Sequence, residues 1–269
     1  MSNLSEIRVP ATTSSPLRAV PFNNTNCHRS TVVHCNECCM KRHCLAASTD
    51  VGDLAELETL IEHWHPMPKE RHVMREGDRF NAVFLVRSGS VKTYQTLANG
   101  EELITGFYFP GEIFGLDGLA DKVHVDTAVT METTSLCSLP LQRLLSRQPQ
   151  FVGVEQRLLL LLSELLNRKD SHSSMLSKNR AHERLAAFLL DLSHRFERRR
   201  LSSLCFSLPM SRTDVSHYLG LSLESVSRAF GLLEKDRVIK PSGRVIEIID
   251  SYELESLAGV VHEQRRQLA

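Results

Sequence analysis

The chain has 269 residues, 42% of them apolar and 24% charged, enough for about two domains with cores of their own. That composition excludes a wholly disordered, collagen-like or coiled-coil protein. Thirty-two basic and thirty-two acidic side chains cancel, so total charge points to no partner.

Residues 1–26 are rich in Ser, Thr, Asn and Pro without a period and read as a flexible tail. They mix Glu6, Arg8 and Arg18 into the start of the chain and lack the apolar core of a secretory signal. The leucine run Leu158 to Leu162 is far short of a membrane span. No membrane partner is expected, and the expected location is the cytoplasm. After a polar, cysteine-bearing stretch, Leu54, Leu57, Leu60 and Ile61 recur at helical spacing and predict a short helix between roughly Leu54 and His63.

From Val73 to Pro140 the texture changes to β-branched and aromatic runs. They are cut by Arg75-Glu76-Gly77-Asp78, Arg87-Ser88-Gly89-Ser90, Asn99-Gly100-Glu101 and Pro110-Gly111-Glu112. Short strands with such punctuation predict a compact antiparallel barrel or jelly roll. From about Pro149 the pattern becomes helical, with a broad stripe of Leu158, Leu161, Leu162, Leu165 and Leu166. Such a stripe serves either as an internal core helix or as a subunit interface shared with a symmetry mate.

Up to residue 167 there are fifteen basic and nineteen acidic residues, and beyond it seventeen and thirteen. The C-terminal part is therefore modestly basic. In it, Ser211-Arg212-Thr213-Asp214 is a capping-box pattern that starts a helix ending at Gly220, and Ser222 can cap a second helix reaching about Glu234. Two short helices joined by a tight glycine turn predict a helix-turn-helix. Glu224, Ser227 and Arg228 share the outer face of the second helix near its start, where a recognition helix meets base edges. Arg can donate to guanine O6 and N7, Glu can accept from cytosine N4, and Ser can serve either role. The simpler alternative is a solvated i,i+4 pair worth a few tenths of a kcal/mol. Residues 237–246 then predict a hairpin wing whose Lys240 and Arg244 contact phosphate, which fixes register without reading sequence.

Five of the seven cysteines, Cys27, Cys35, Cys38, Cys39 and Cys44, crowd together, while Cys137 and Cys205 stand alone. In a reducing compartment such crowding reads as metal-binding or redox-active before it reads as bridged. Cys35-x2-Cys38-x5-Cys44 holds one face of a metal centre and needs a fourth ligand from elsewhere. Structural zinc would draw on His28, His34 or His43, because a second close cysteine pair is absent. An iron-sulfur cluster often takes three local thiolates and one distant one, for which Cys137 at the end of the barrel is the candidate. A small buried hydrophobe is the alternative for Cys137. Cys39 is a near-degenerate neighbour of Cys38, and Cys27 and Cys205 need no role.

Val33-His34-Cys35-Asn36-Glu37-Cys38 with Cys44, Thr134-Ser135-Leu136-Cys137-Ser138-Leu139-Pro140, and the run Tyr218 to Arg228 lie in three separate regions in one order. Together they resemble an FNR/ANR-type regulator, the oxygen-sensing branch of the CRP superfamily of bacterial transcription factors, over about residues 27 to 260. The resemblance implies an α+β fold: an N-terminal β-roll of the cyclic-nucleotide-binding, jelly-roll kind as sensor, a long dimerisation helix, and a C-terminal winged helix-turn-helix. The corresponding segments are a tail at 1–26, cluster loop and β-roll at 27–148, dimerisation helix at 149–178 and DNA-binding domain at 179–269. It further implies a [4Fe-4S] cluster on Cys35, Cys38, Cys44 and Cys137, DNA reading by Glu224, Ser227 and Arg228, and a homodimer along the leucine-rich helix through Leu158, Leu162 and Leu165. The implied partners are double-stranded DNA with an inverted repeat of the form TTGAT, four bases, ATCAA, and RNA polymerase, for activation of anaerobic metabolism genes.

One departure from the wider superfamily bears on ligands. Cyclic-nucleotide-binding members carry an Arg-Ser pair after the Gly-Glu turn, whereas Gly111-Glu112 is followed here by Val123-His124-Val125-Asp126-Thr127-Ala128. A phosphate would face Asp126 and be repelled, so no cyclic nucleotide is expected. Two rival readings are a CRP-like regulator gated by a small ligand with a structural zinc site, and a metalloenzyme. No substrate-pocket motif accompanies the cysteines, and an enzyme would leave the helix-turn-helix without a purpose.

Overall fold

The computed structural model describes residues 34–48, 51–145 and 152–260. The expected tail at 1–26, Cys27 and the start of the expected long helix at 149–151 lie outside the described residues. No described helix is long and apolar enough to cross a membrane.

Two four-stranded antiparallel sheets form the N-terminal barrel, which is the β-roll expected from the sequence. One has the order β1-β8-β3-β6, built from Glu62–His63, Ser135–Leu139, Val83–Ser88 and Ile113–Phe114. The other has the order β2-β7-β4-β5, built from His72–Met74, Thr127–Thr130, Val91–Thr96 and Glu102–Tyr108. All residues of β3 are buried, as suits a strand enclosed on both faces, whereas β4 alternates at its start between buried and half-buried positions. Gly89 makes the turn from β3 to β4 with φ of 79°, and a Cβ there would stand 2.4 Å from the Thr133 carbonyl oxygen. Only glycine fits that approach.

Helix α1 spans Val51–Leu60, starting and ending three residues earlier than the leucine spacing suggests. Glu62 and His63 leave it to pair with Ser138 and Cys137 as strand β1, because the edge of β8 offers them ladder hydrogen bonds that a frayed helix end lacks. The short helix α2 (Leu141–Leu145) follows β8, and the long helix α3 covers Val152–Leu176. Beyond it come α4 (Ala181–Arg198), the edge strand β9 (Cys205–Ser207), α5 (Arg212–Leu219), α6 (Leu223–Lys235), the hairpin β10 (Ile239–Ser242) with β11 (Val245–Ile248), and α7 (Ser251–Leu257).

The cores show what holds these parts together. Leu45, Ala46, Leu54, Leu57 and Leu60 of the N-terminal segment pack with Leu85 and Ile113 of the barrel and with Val154, Leu158 and Leu161 of α3. A second cluster runs from Ile104, Phe107 and Phe109 of the barrel through Phe188, Leu189 and Leu192 of α4 to Val226, Phe230 and Leu233 of α6. The C-terminal domain is therefore packed directly on the barrel. Burial of this apolar surface, at roughly 25 cal/mol per Å², is what fixes α3 and α4 against the sheet.

Candidate functional site

Residues 34–44 form a chain of tight turns, closed by hydrogen bonds from Glu37 N to His34 O, Lys41 N to Cys38 O and Cys44 N to Met40 O. The turns bring Cys35, Cys38 and Cys44 to one side, where they line a pocket with Met40, Ile61, His63, Leu85, Val86, Arg87 and Cys137. All four thiols are free. Cys39 lines a different cavity, with Arg199 and Arg200, so geometry separates the two adjacent cysteines that spacing could not. Cys205 lies far along the chain, buried on β9 of the wing sheet.

Cys137 is held from both sides of its strand, opposite Leu85 on β3 and His63 on β1. Burial pushes its thiol up to about 12, with Cys38, Cys35 and Cys44 adding like-charge repulsion. Burial likewise raises Cys35 to about 12 and Cys44 to about 11. Thiols in such a place ionise when a metal supplies the missing positive charge. Two further groups at the pocket fit a negatively charged centre. Arg87 is 3% exposed, and among the described residues its Nε and Nη1 have no hydrogen-bond partner, nor does the buried Nε2 of His63. Buried donors without partners are uncommon, and the sulfurs of a thiolate-bound cluster would accept from them.

Arg87 reads in the sequence only as part of a turn, and His63 as the end of a helix. Nothing local marked either one. Glu58 is the third residue missed: its Oε1 lies 2.6 Å from His34 Nδ1 and accepts from the Cys35 amide at 3.3 Å. His34, considered from the sequence as a ligand, is thus engaged with Glu58, and His43 lines a separate cavity with Arg157 and Arg199.

The nucleic-acid candidate is built as the caps foretell. Ser211 and Asp214 form both hydrogen bonds of the capping box, Gly220 closes α5 in the left-handed region at φ of 59°, and Ser222 accepts from Ser225 N to start α6. Val226, Ala229, Phe230 and Leu233 are buried, which turns Glu224, Ser227 and Arg228 outward. Arg228 and Glu224 lie 3.4 Å apart with side chains 70% and 77% exposed, so both are free to rearrange on a partner. Ser227 donates to the Leu223 carbonyl. Lys240 and Arg244 are exposed on the wing.

Helix α3 presents two faces. Leu158 is spent on the protomer's own core, and Leu162 and Leu165 pack partly against it. Leu159, Leu160 and Leu166 are exposed at 66%, 55% and 65%. At the Gly111-Glu112 turn, Arg168, Arg195 and Arg199 all pair with the buried Glu112 carboxylate, holding it well below the usual carboxylate range. Asp126 is also buried and accepts from Gln95 and Thr105.

Residues 64–147 match the cyclic nucleotide-binding domain family and residues 183–257 the Crp-like helix-turn-helix domain family. The chain is 38% identical to the transcriptional activator protein Anr of Pseudomonas aeruginosa, over 84% of this chain and 93% of that one. It is 33% identical to the fumarate and nitrate reduction regulatory protein of Vibrio cholerae, over 87% and 93%. Among solved structures it resembles FixK2 from Bradyrhizobium japonicum, with a TM-score of 0.66 and 29% identity, over 73% of this chain and 96% of that one.

Proposed function

From the premise that this chain belongs to the CRP/FNR family of transcription regulators, in its FNR/Anr branch, we propose that it is an oxygen-responsive regulator, mainly an activator, of anaerobic metabolism genes. It acts in the cytoplasm as a homodimer, and it is a regulator and not an enzyme. The observation that carries this is the convergence of Cys35, Cys38, Cys44 and Cys137 on one pocket in a chain that also carries an outward-facing recognition helix. These four thiolates would hold a [4Fe-4S] cluster, whose oxygen-labile iron–sulfur bonds supply the sensing chemistry.

The protein's part is to pass the position of the cysteine loop to α3. Arg157 of α3 donates to the carbonyls of His43 and Cys44, and Leu45 and Ala46 pack with Leu158 and Leu161. Drawing the loop thiols toward Cys137 therefore pulls on the same turn of α3 that carries Leu159. The exposed leucines of that helix, with Leu162 and Leu165 at their margin, form the dimer face. Two α6 helices then meet half-sites about 34 Å apart in an inverted repeat resembling TTGAT, four bases, ATCAA. Glu224 and Arg228 read the G·C pair, Lys240 and Arg244 anchor phosphate, and RNA polymerase is the further partner.

Cyclic nucleotide has no part in this reading. Three guanidinium groups already occupy Glu112, and Asp126 would repel a phosphate. The segments 27–148, 149–178 and 179–269 serve as sensor, dimerisation helix and DNA-binding domain. Purification without oxygen tests the proposal: about four iron and four sulfide per chain, broad visible absorption, and DNA binding that air abolishes are expected. Colourless, iron-free protein that binds the repeat equally well in air would overturn it and favour the zinc-containing alternative.

A further inference from the structure

Beside the thiols stand two donors that a four-cysteine centre does not take as ligands, Glu58 and His63. Cys35 Sγ, a carboxylate oxygen of Glu58 and a ring nitrogen of His63 all lie within 4.8 Å of one another. Cys137 Sγ lies 3.5 Å from His63 Nδ1. A tetrahedral ion with sulfur at about 2.3 Å and nitrogen at about 2.1 Å has an S···N edge of about 3.6 Å, so the pair on β1 and β8 is already at ligand spacing. That spacing is set by the backbone, because His63 and Cys137 are directly opposite partners in an antiparallel ladder.

We propose that the cluster-free protein binds one divalent ion of the zinc type at Cys35, Glu58, His63 and Cys137. The imidazole suits this role: Nδ1 faces a thiol and the buried Nε2 has no partner, so among the described residues no hydrogen bond to oxygen holds the ring. The carboxylate is oriented for it, since His34 and the Cys35 amide both fix Glu58 Oε1, as outer-shell partners do for metal ligands. Charge also balances. Two thiolates and a carboxylate around a dication leave one net negative charge, beside the buried Arg87 that lines the same pocket.

The ion and a four-iron cluster would share Cys35 and Cys137 and so exclude one another, while Cys38 and Cys44 belong to the cluster alone. The site gives the cluster-free chain a defined ligand state in which Cys35 remains tied to the barrel. It stands on these donors whether or not a cluster is ever bound.

The test uses full-length protein freed of metal by a chelator, kept reduced and without oxygen. Zinc is titrated against a chromophoric chelator, and cobalt serves as the spectroscopic probe. One ion per chain is expected, with the visible bands of tetrahedral cobalt and thiolate charge transfer. Losing outer-shell partners alone costs 10–100-fold in metal affinity, so His63→Ala and Glu58→Gln should each weaken zinc by at least roughly that factor, and Glu58→Gln should still load iron and sulfide. Cys38→Ser should do the reverse, keeping zinc affinity and losing the cluster. Melting of each metal-free variant checks that it is folded. Two results would overturn the proposal: no tetrahedral cobalt spectrum in the wild type, or zinc affinity that falls in Cys38→Ser and stands unchanged in His63→Ala, which would place the ion on the loop thiols. The expected pattern in protein that never takes up iron would retain the zinc site and sink the cluster reading alone.

Discussion

Cys137 is fixed by ladder pairing on both sides of β8, so the loop thiols must come to it. Cys137→Ser removes the one barrel thiol at the pocket among the described residues. Iron and sulfide in that variant, purified without oxygen, should fall to background, while Cys205→Ser on the wing sheet should load as wild type. A normally loaded Cys137→Ser would disprove the ligand set. On α6, Arg228 can give two hydrogen bonds to guanine and Glu224 can accept from the paired cytosine. Arg228→Ala should therefore cost roughly 1–3 kcal/mol per half-site and relax preference mainly at that pair. Lys240→Ala should instead weaken every sequence alike and shallow the salt dependence. Competition binding with single-base variants at fixed salt separates the two, and an Arg228→Ala that loses affinity uniformly would make Arg228 a phosphate anchor.

Helix α3 has leucines on opposite sides with opposite duties. Val154, Leu158 and Leu161 are buried against the N-terminal segment and the barrel, whereas Leu159 and Leu166, seven residues apart, are exposed and lie along one coiled-coil-like line. Glutamate at Leu166 should leave the protomer folded and separate subunits, because the dimer would bury an unpaired charge. Glutamate at Leu158 should lower the melting temperature of the protomer itself. Sedimentation and thermal melting, both without oxygen, give the comparison. A fully dimeric, cluster-loaded Leu166→Glu would move the interface elsewhere.

Across the whole molecule, the tie between barrel and DNA-binding domain is electrostatic as well as apolar. Glu112 of the barrel meets Arg168 of α3 and Arg195 and Arg199 at the end of α4. Lys92 of β4 bridges to Asp214 in the capping box of α5 at 2.8 Å. Glu112→Gln would leave buried guanidinium groups without their counter-charge and should cost about 3–5 kcal/mol. The pH dependence has a definite sign. The arginines depress the Glu112 carboxyl in the folded state below its ordinary value of 4.5, so its stabilisation is fully present above that value and is lost as pH falls below it. Denaturant titrations should show the gap between wild type and Glu112→Gln closing below about pH 4.5. A gap that stays constant down to about pH 3 would mean that the carboxylate charge contributes nothing.

Some of this is written locally in the chain. The capping box at Ser211, the left-handed turn at Gly220 and the alternation of buried and outward positions on α6 depend on neighbours within a few residues, so the helix-turn-helix is legible in the residues themselves. The glycine-punctuated strands and the Cys35, Cys38, Cys44 spacing are equally local, and three motifs in one order suffice for the family. Tertiary structure decided the rest, because the deciding contacts join residues far apart in sequence. Ladder pairing of β1 with β8 carried His63 out of its expected helix and set it against Cys137. The fold of the cysteine loop chose Cys38 over Cys39 as the thiol facing the pocket. Leu158 and Leu159 look alike in the run of five leucines, yet a helix turns each successive residue by about 100°. Which leucine enters the core and which is left exposed was fixed only when the barrel covered one side of α3.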